Sequence, residues 1–178
     1  MIEDLIRFIK AAALRVPEKY LKLQTTYEPP GITRERVFCY ELYHQLRVQM
    51  GDGHAITLNG EIDKRGHPNF KEDHRKNPDF VFHIPGEMEG NTIIMEVKGT
   101  LDADIDSDFG KMHTFITDYQ YQAGVFLLYN NGMEDLIRSK REVLNNYKDY
   151  RSSEHITIIT LPVAGYIDRI EKLSDLAL

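Results

Sequence analysis

Residues 123–129, Ala-Gly-Val-Phe-Leu-Leu-Tyr, form an unbroken apolar run. A strand with one wet face alternates apolar and polar side chains, whereas a strand that is apolar throughout is buried on both faces. The run therefore predicts a sheet with helices packed on it. Its neighbours agree. Just before it, Phe109, Met112, Phe115, Ile116 and Tyr119 fall at helical spacing within 108–119, with Asp106 or Ser107 available as the cap. Just after it, 133–148 is a second amphipathic pattern. Residues 156–161 read as another strand, and 167–177 as a last short helix.

Upstream, Ile2, Leu5, Ile6, Ile9, Ala12, Ala13 and Val16 lie on one face of a helix over 2–16. Pro29-Pro30-Gly31 punctuates the chain. Thr33 reads as the N-cap of a helix over 34–50, which Gly51 and Gly53 end. Strand-like runs follow at 55–63, 79–84 and 92–98, and the last two are joined by a Pro-Gly-containing turn at 85–90. The order is helix, helix, three strands, helix, strand, helix, strand. It predicts an α/β fold, a mixed sheet flanked by helices. The 178 residues, 42% of them hydrophobic, suit one compact domain. Its core covers about 34–129, with an N-terminal helix at 1–16 and a C-terminal αβ extension over 133–178.

Cys39 is the only cysteine, which excludes an intrachain disulfide and a thiolate zinc site. No apolar run approaches the ~20 residues that span a bilayer. The start, Met-Ile-Glu-Asp, is acidic where a signal peptide is basic, so the expected setting is cytoplasmic. The net charge of −6 argues mildly against a non-specific nucleic-acid binder. A metal-binding site, however, is itself rich in acid.

The polar residues that carry chemistry lie on the second and third strand runs. Pro78-Asp79 opens Asp-Phe-Val-Phe-His-Ile, and Glu96-Val97-Lys98 closes Asn-Thr-Ile-Ile-Met-Glu-Val-Lys. Alternation puts Glu96 and Lys98 on one face, and a hairpin sets Asp79 beside them. Two carboxylates and an ammonium at one point suit a divalent cation and attack on a phosphodiester. Taken alone, Glu96 and Lys98 read as a surface salt bridge, and the placement of Asp79 is what favours function.

This pattern resembles the PD-(D/E)XK nuclease superfamily, the restriction-endonuclease-like fold, over about 34–129. The resemblance implies an α-β-β-β-α-β core, a metal-dependent nuclease, and Mg²⁺ or Mn²⁺ as cofactor. It implies Asp79 and Glu96 as metal ligands and catalytic acids, with the Val97 carbonyl as a further ligand. It also implies an acid in the first core helix. Glu35 and Glu41 are the candidates, and Glu41, mid-helix beside Leu42, is the expected one for catalysis and metal. Nearby carboxylates keep Lys98 charged, so it stabilises charge on the phosphate ahead of acting as a base.

Lys71, Arg75 and Lys76, in a basic irregular stretch before Asp79, and Lys111 on helix 108–119 are candidate nucleic-acid contacts. Asp102, Asp104, Asp106 and Asp108 mimic the start of a calcium loop. Ser107 replaces its glycine and His113 its glutamate, so they read as an acidic lead-in to a helix. The expected partner is nucleic acid, DNA ahead of RNA, with a homodimer or a defence or repair complex as the assembly and no membrane. Two functions remain open: hydrolysis of phosphodiesters through a metal-activated water, and a catalytically inactive nuclease-like domain that binds nucleic acid or protein.

Overall fold

The computed structural model describes residues 1–26, 31–61 and 77–178. One six-stranded mixed sheet runs through it in sequence order: β1 (Thr57–Gly60), β2 (Phe80–His83), β3 (Asn91–Lys98), β4 (Ala123–Tyr129), β5 (Ile156–Leu161) and β6 (Arg169–Lys172). β1, β2 and β3 form an antiparallel meander, and β3, β4 and β5 are parallel. β6 turns back antiparallel on β5. The two parallel steps need crossovers, and α4 (Ile105–Asp118) and α5 (Met133–Lys148) supply them.

The apolar run at 123–129 is β4, and all seven of its residues are buried. Alternation along β3 and β4 sends Met95, Val97, Val125, Leu127 and Tyr129 to one face. There they meet α1 (Ile2–Ala13) and α3 (Glu35–Met50) through Leu5, Ile9, Phe38, Leu42 and Leu46. Ile94, Phe126 and Leu128 go to the other face, against Phe109 and Met112 of α4 and Leu136 of α5. A short helix, α2 (Glu18–Leu21), follows α1.

Three details depart from the sequence expectations. Thr33 does not cap α3. Arg34 occupies the cap position without a side-chain bond, and the Thr33 hydroxyl instead accepts from Asn130 Nδ2 at 3.2 Å. α4 starts a turn earlier than expected, because Asp104 is its cap and accepts from the Ser107 N–H at 3.0 Å. Residues 167–177 are β6 followed by a 3₁₀ turn rather than a helix. The reversal at Val163–Tyr166, with Gly165 at φ +74°, lays 169–172 beside β5. Backbone pairing there overrides the three-residue apolar spacing. Of the strand expected at 55–63, residues 62 and 63 lie outside the described residues. Among the described residues no helix is long and apolar enough to cross a membrane.

Candidate active site

Phe80 pairs with Met95 and Val81 with Ile94, so Asp79 continues the register opposite Glu96. The β2–β3 hairpin thus brings the two acids together at the end of the parallel strands, where open α/β sheets build their sites. Asp79 Oδ2 accepts the Val97 N–H at 2.7 Å, which fixes its carboxylate against the strand end. Glu96, Lys98 and Ile94 share the face covered by α4.

The earlier start of α4 aims its first turns at this face. Asp108 and Lys111, three residues apart, stand over the strand carboxylates. Lys111 Nζ donates to Glu96 Oε2 at 2.8 Å and lies 3.7 Å from Asp108 Oδ1. Lys98 Nζ lies 3.2 Å from Asp108 Oδ2 and 3.3 Å from Glu35 Oε1, and donates to the Val97 carbonyl at 3.2 Å. The expected metal-ligand carbonyl of Val97 therefore faces the site, with one lone pair engaged by Lys98.

The helix acid beside Lys98 is Glu35, not Glu41. α3 covers the opposite face of the sheet from Glu96. The N-terminal turn of α3 brings Glu35 over the strand ends to Lys98. Asn130, at φ +64° just after β4, holds that turn in place by donating to Thr33 Oγ1 and to the Leu21 carbonyl. Glu41 accepts from Gln45 Nε2 at 2.7 Å, an i,i+4 pair along its own helix.

Lys111 is 11% exposed in its side chain and is committed to Glu96 and Asp108, so it is a site residue rather than a free surface lysine. Lys71, Arg75 and Lys76 lie outside the described residues. Asp108 was legible only as part of the aspartate series. Its burial depends on where α4 begins, and the Asp104 cap is the signal that sets this.

Four carboxylates (Glu35, Asp79, Glu96, Asp108) surround two ammoniums (Lys98, Lys111) in this cluster. Glu96 is 1% exposed, and burial holds its carboxyl well above the usual carboxylate range despite the Lys111 ammonium. Burial likewise raises Asp108 and Glu35 against the pull of Lys98. Lys98 is itself pushed up, because the attraction of Asp108, Glu35, Asp79 and Glu96 outweighs its burial. It is held as an ammonium and is unsuited to act as a base.

The donor set fits a hard divalent cation. Glu96 Oε1 is fully buried and accepts no hydrogen bond among the described residues, a costly state for a carboxylate oxygen unless a cation meets it. No three His, Cys, Asp or Glu side chains converge as a ready-made cage among the described residues. Mg²⁺ requires no such cage: it keeps most of its waters and takes one or two protein carboxylates. Asp79, Glu96 and the Val97 carbonyl are the protein oxygens that could hold it. No family model matches the chain, and no curated protein matches it.

Proposed function

We propose that this chain is a metal-dependent nuclease of the restriction-endonuclease-like fold, hydrolysing phosphodiester bonds, in DNA ahead of RNA. The observation that carries the reading is the buried, orphaned Oε1 of Glu96 opposite Asp79, in a cluster with more acid than base. Asp79 and Glu96 hold the cation, with the Val97 carbonyl as the third protein oxygen. A bound Mg²⁺ or Mn²⁺ supplies charge neutralisation at the phosphoryl oxygen and lowers the pKa of a coordinated water. Lys98, fixed as an ammonium, orients the scissile phosphate and stabilises the charge that develops on it. Glu35 positions Lys98 from the α3 side, and Asp108 does so from the α4 side. Lys111 favours the ionised form of Glu96 and so partly offsets the effect of its burial.

One observation favours a second reading, an inactive nuclease-like binding module. Lys111 already neutralises one oxygen of Glu96. If the two lysines satisfy the cluster, the fold persists without metal or chemistry. The experiment is cleavage of plasmid, linear and single-stranded DNA with Mn²⁺ by the wild type, Asp79→Ala and Lys98→Ala. The expected result is cutting by the wild type and loss in both variants, by roughly a hundredfold or more for Lys98→Ala. Cutting that survives both substitutions overturns the assignment. Thermal unfolding separates the two readings, since a metal bound only by the native state raises Tm by mass action. An unchanged Tm at saturating Mn²⁺ leaves the binding-module reading standing.

A further inference from the structure

Beside the acidic cluster, on the α3 side of the sheet, lies a cavity of about 360 Å³. Cys39, Tyr40, Tyr43, Asn59, Gly60, Glu61, Asp79 and Phe80 line it. Its size falls in the range of small-molecule pockets. The wall is aromatic: Tyr43 stacks on Phe80 with ring centroids 6.3 Å apart and planes 21° apart. Tyr43 is fixed by donating from its hydroxyl to the Leu58 carbonyl at 3.4 Å. Tyr40 stands at the mouth with 67% of its surface exposed. Gly60 contributes no side chain, and a Cβ there lies 3.4 Å from the Asp79 carbonyl and 3.6 Å from the Phe80 ring, so the glycine keeps the floor open. At the rim, Glu61 is paired to Arg36 at 3.3 Å. One residue, Asp79, belongs both to this cavity and to the proposed metal site.

We infer that the cavity receives an unpaired nucleobase next to the scissile phosphate, so that the substrate is single-stranded or locally unpaired nucleic acid rather than intact duplex. The inference rests on the nuclease reading above and names the substrate class of that site. A phosphate at Asp79 places the attached nucleoside at the cavity mouth. Exposed Tyr40 and the Tyr43–Phe80 wall offer π-faces, which accept any base by stacking. At the rim, the Glu61 carboxylate offers an acceptor to an exocyclic amine. A base inside a B-form stack cannot enter such a pocket without being extruded, at a cost of a few kcal/mol. An already unpaired strand avoids that cost. The acidic surroundings fit this choice, since stacking holds a neutral base where a broad basic face for a duplex backbone is not required.

The test is binding in a Lys98→Ala background, with Mn²⁺ present and the metal ligands intact, so that affinity is read apart from cleavage. The probes are a labelled single-stranded oligonucleotide, the blunt duplex of the same sequence, and that duplex with an unpaired tail, read by fluorescence anisotropy. Single-stranded and tailed probes are expected to bind at least tenfold more tightly than the blunt duplex. Tyr40→Ala is expected to weaken them by roughly ten- to a hundredfold, as loss of one stacked base implies, with affinity retained by Tyr40→Phe. Tyr40 is surface-exposed, so its substitution leaves the core intact. Equal affinity for the three probes, no binding of any, or an unchanged Tyr40→Ala each overturns the inference. A wild type that cuts only intact duplex also overturns it but leaves the nuclease reading standing. A wild type that binds single strands through Tyr40 and cuts nothing overturns the nuclease reading alone.

Discussion

Glu35 and Glu41 differ by six residues on one helix, about 120° around its axis, and that displacement separates an acid that reaches Lys98 from one that pairs along its own helix. Glu35 lies 3.3 Å from Lys98, whereas Glu41 bonds Gln45. Glu35→Gln is therefore expected to lower kcat/KM with Mn²⁺ by about 10- to 100-fold, the scale of losing a residue that orients an active group. Glu41→Gln is expected to leave kcat/KM unchanged. A steady-state comparison of the two decides it, and the reverse order removes Glu35 from the site. Asp79, Glu96 and Lys98 were legible because strand alternation and a hairpin fix faces by counting. The helix acid was not. Sequence gives the angle of Glu41 around its helix, but not that α3 lies on the face away from Glu96. That fact follows from packing Phe38, Leu42 and Leu46 against Met95, Val97 and Leu127.

At the scale of elements, the site depends on where α4 begins and on what meets the end of β3. The Asp104 cap starts the helix at Ile105, which puts Asp108 and Lys111 over Glu96. The sequence pointed to Asp106 or Ser107 as the cap, and the tertiary register of α4 on β3 placed the start at Asp104 instead. Asp104→Ala is expected to cost about 1 kcal/mol in urea unfolding, the usual loss for a capping side chain, with most of it kept by Asp104→Asn. A full loss in the asparagine variant assigns the effect to charge rather than to the cap. At the end of β3, Gly99 meets the Tyr129 ring and the Thr33 methyl, both 2.4 Å from where a Cβ would stand. Tyr129 is itself clamped by stacking on Phe38, with centroids 3.9 Å apart. Gly99→Ala thus overpacks a rigid contact and is expected to destabilise by roughly 1–3 kcal/mol. A neutral result in the same unfolding assay shows that the Tyr129 ring moves aside. The buried strands 123–129 and 156–161 were readable outright, since neither has a polar face to hide. β6 was not, because an exposed edge strand carries little apolar signal.

Over the whole molecule, the excess of acid has a measurable linkage to pH. Burial raises the folded-state pKa of Glu96, Asp108 and Glu35 above their ordinary values of 4.5, 3.8 and 4.5. Between those values and the raised ones, the native state holds protons that the unfolded chain has released. Stability therefore falls as pH rises through the folded pKa values and grows as pH drops toward the ordinary ones. Lys98, also raised, stays charged in both states across this window and adds no opposing slope. With a chelator present, urea unfolding is expected to show greater stability near pH 5.5 than at pH 8, the reverse of a protein held together by ionised carboxylates. Saturating Mn²⁺ stabilises the ionised form of Glu96, so its effect on Tm should be largest at pH 8 and shrink as pH falls. Glu96→Gln removes the most deeply buried of these carboxylates, and its pH profile in chelator should be flatter than that of the wild type. A wild-type profile that rises with pH in chelator means that Lys98 and Lys111 fully compensate the cluster. In that case no unmet charge remains for a cation to neutralise, and the two lysines, rather than a metal, hold the carboxylates in place.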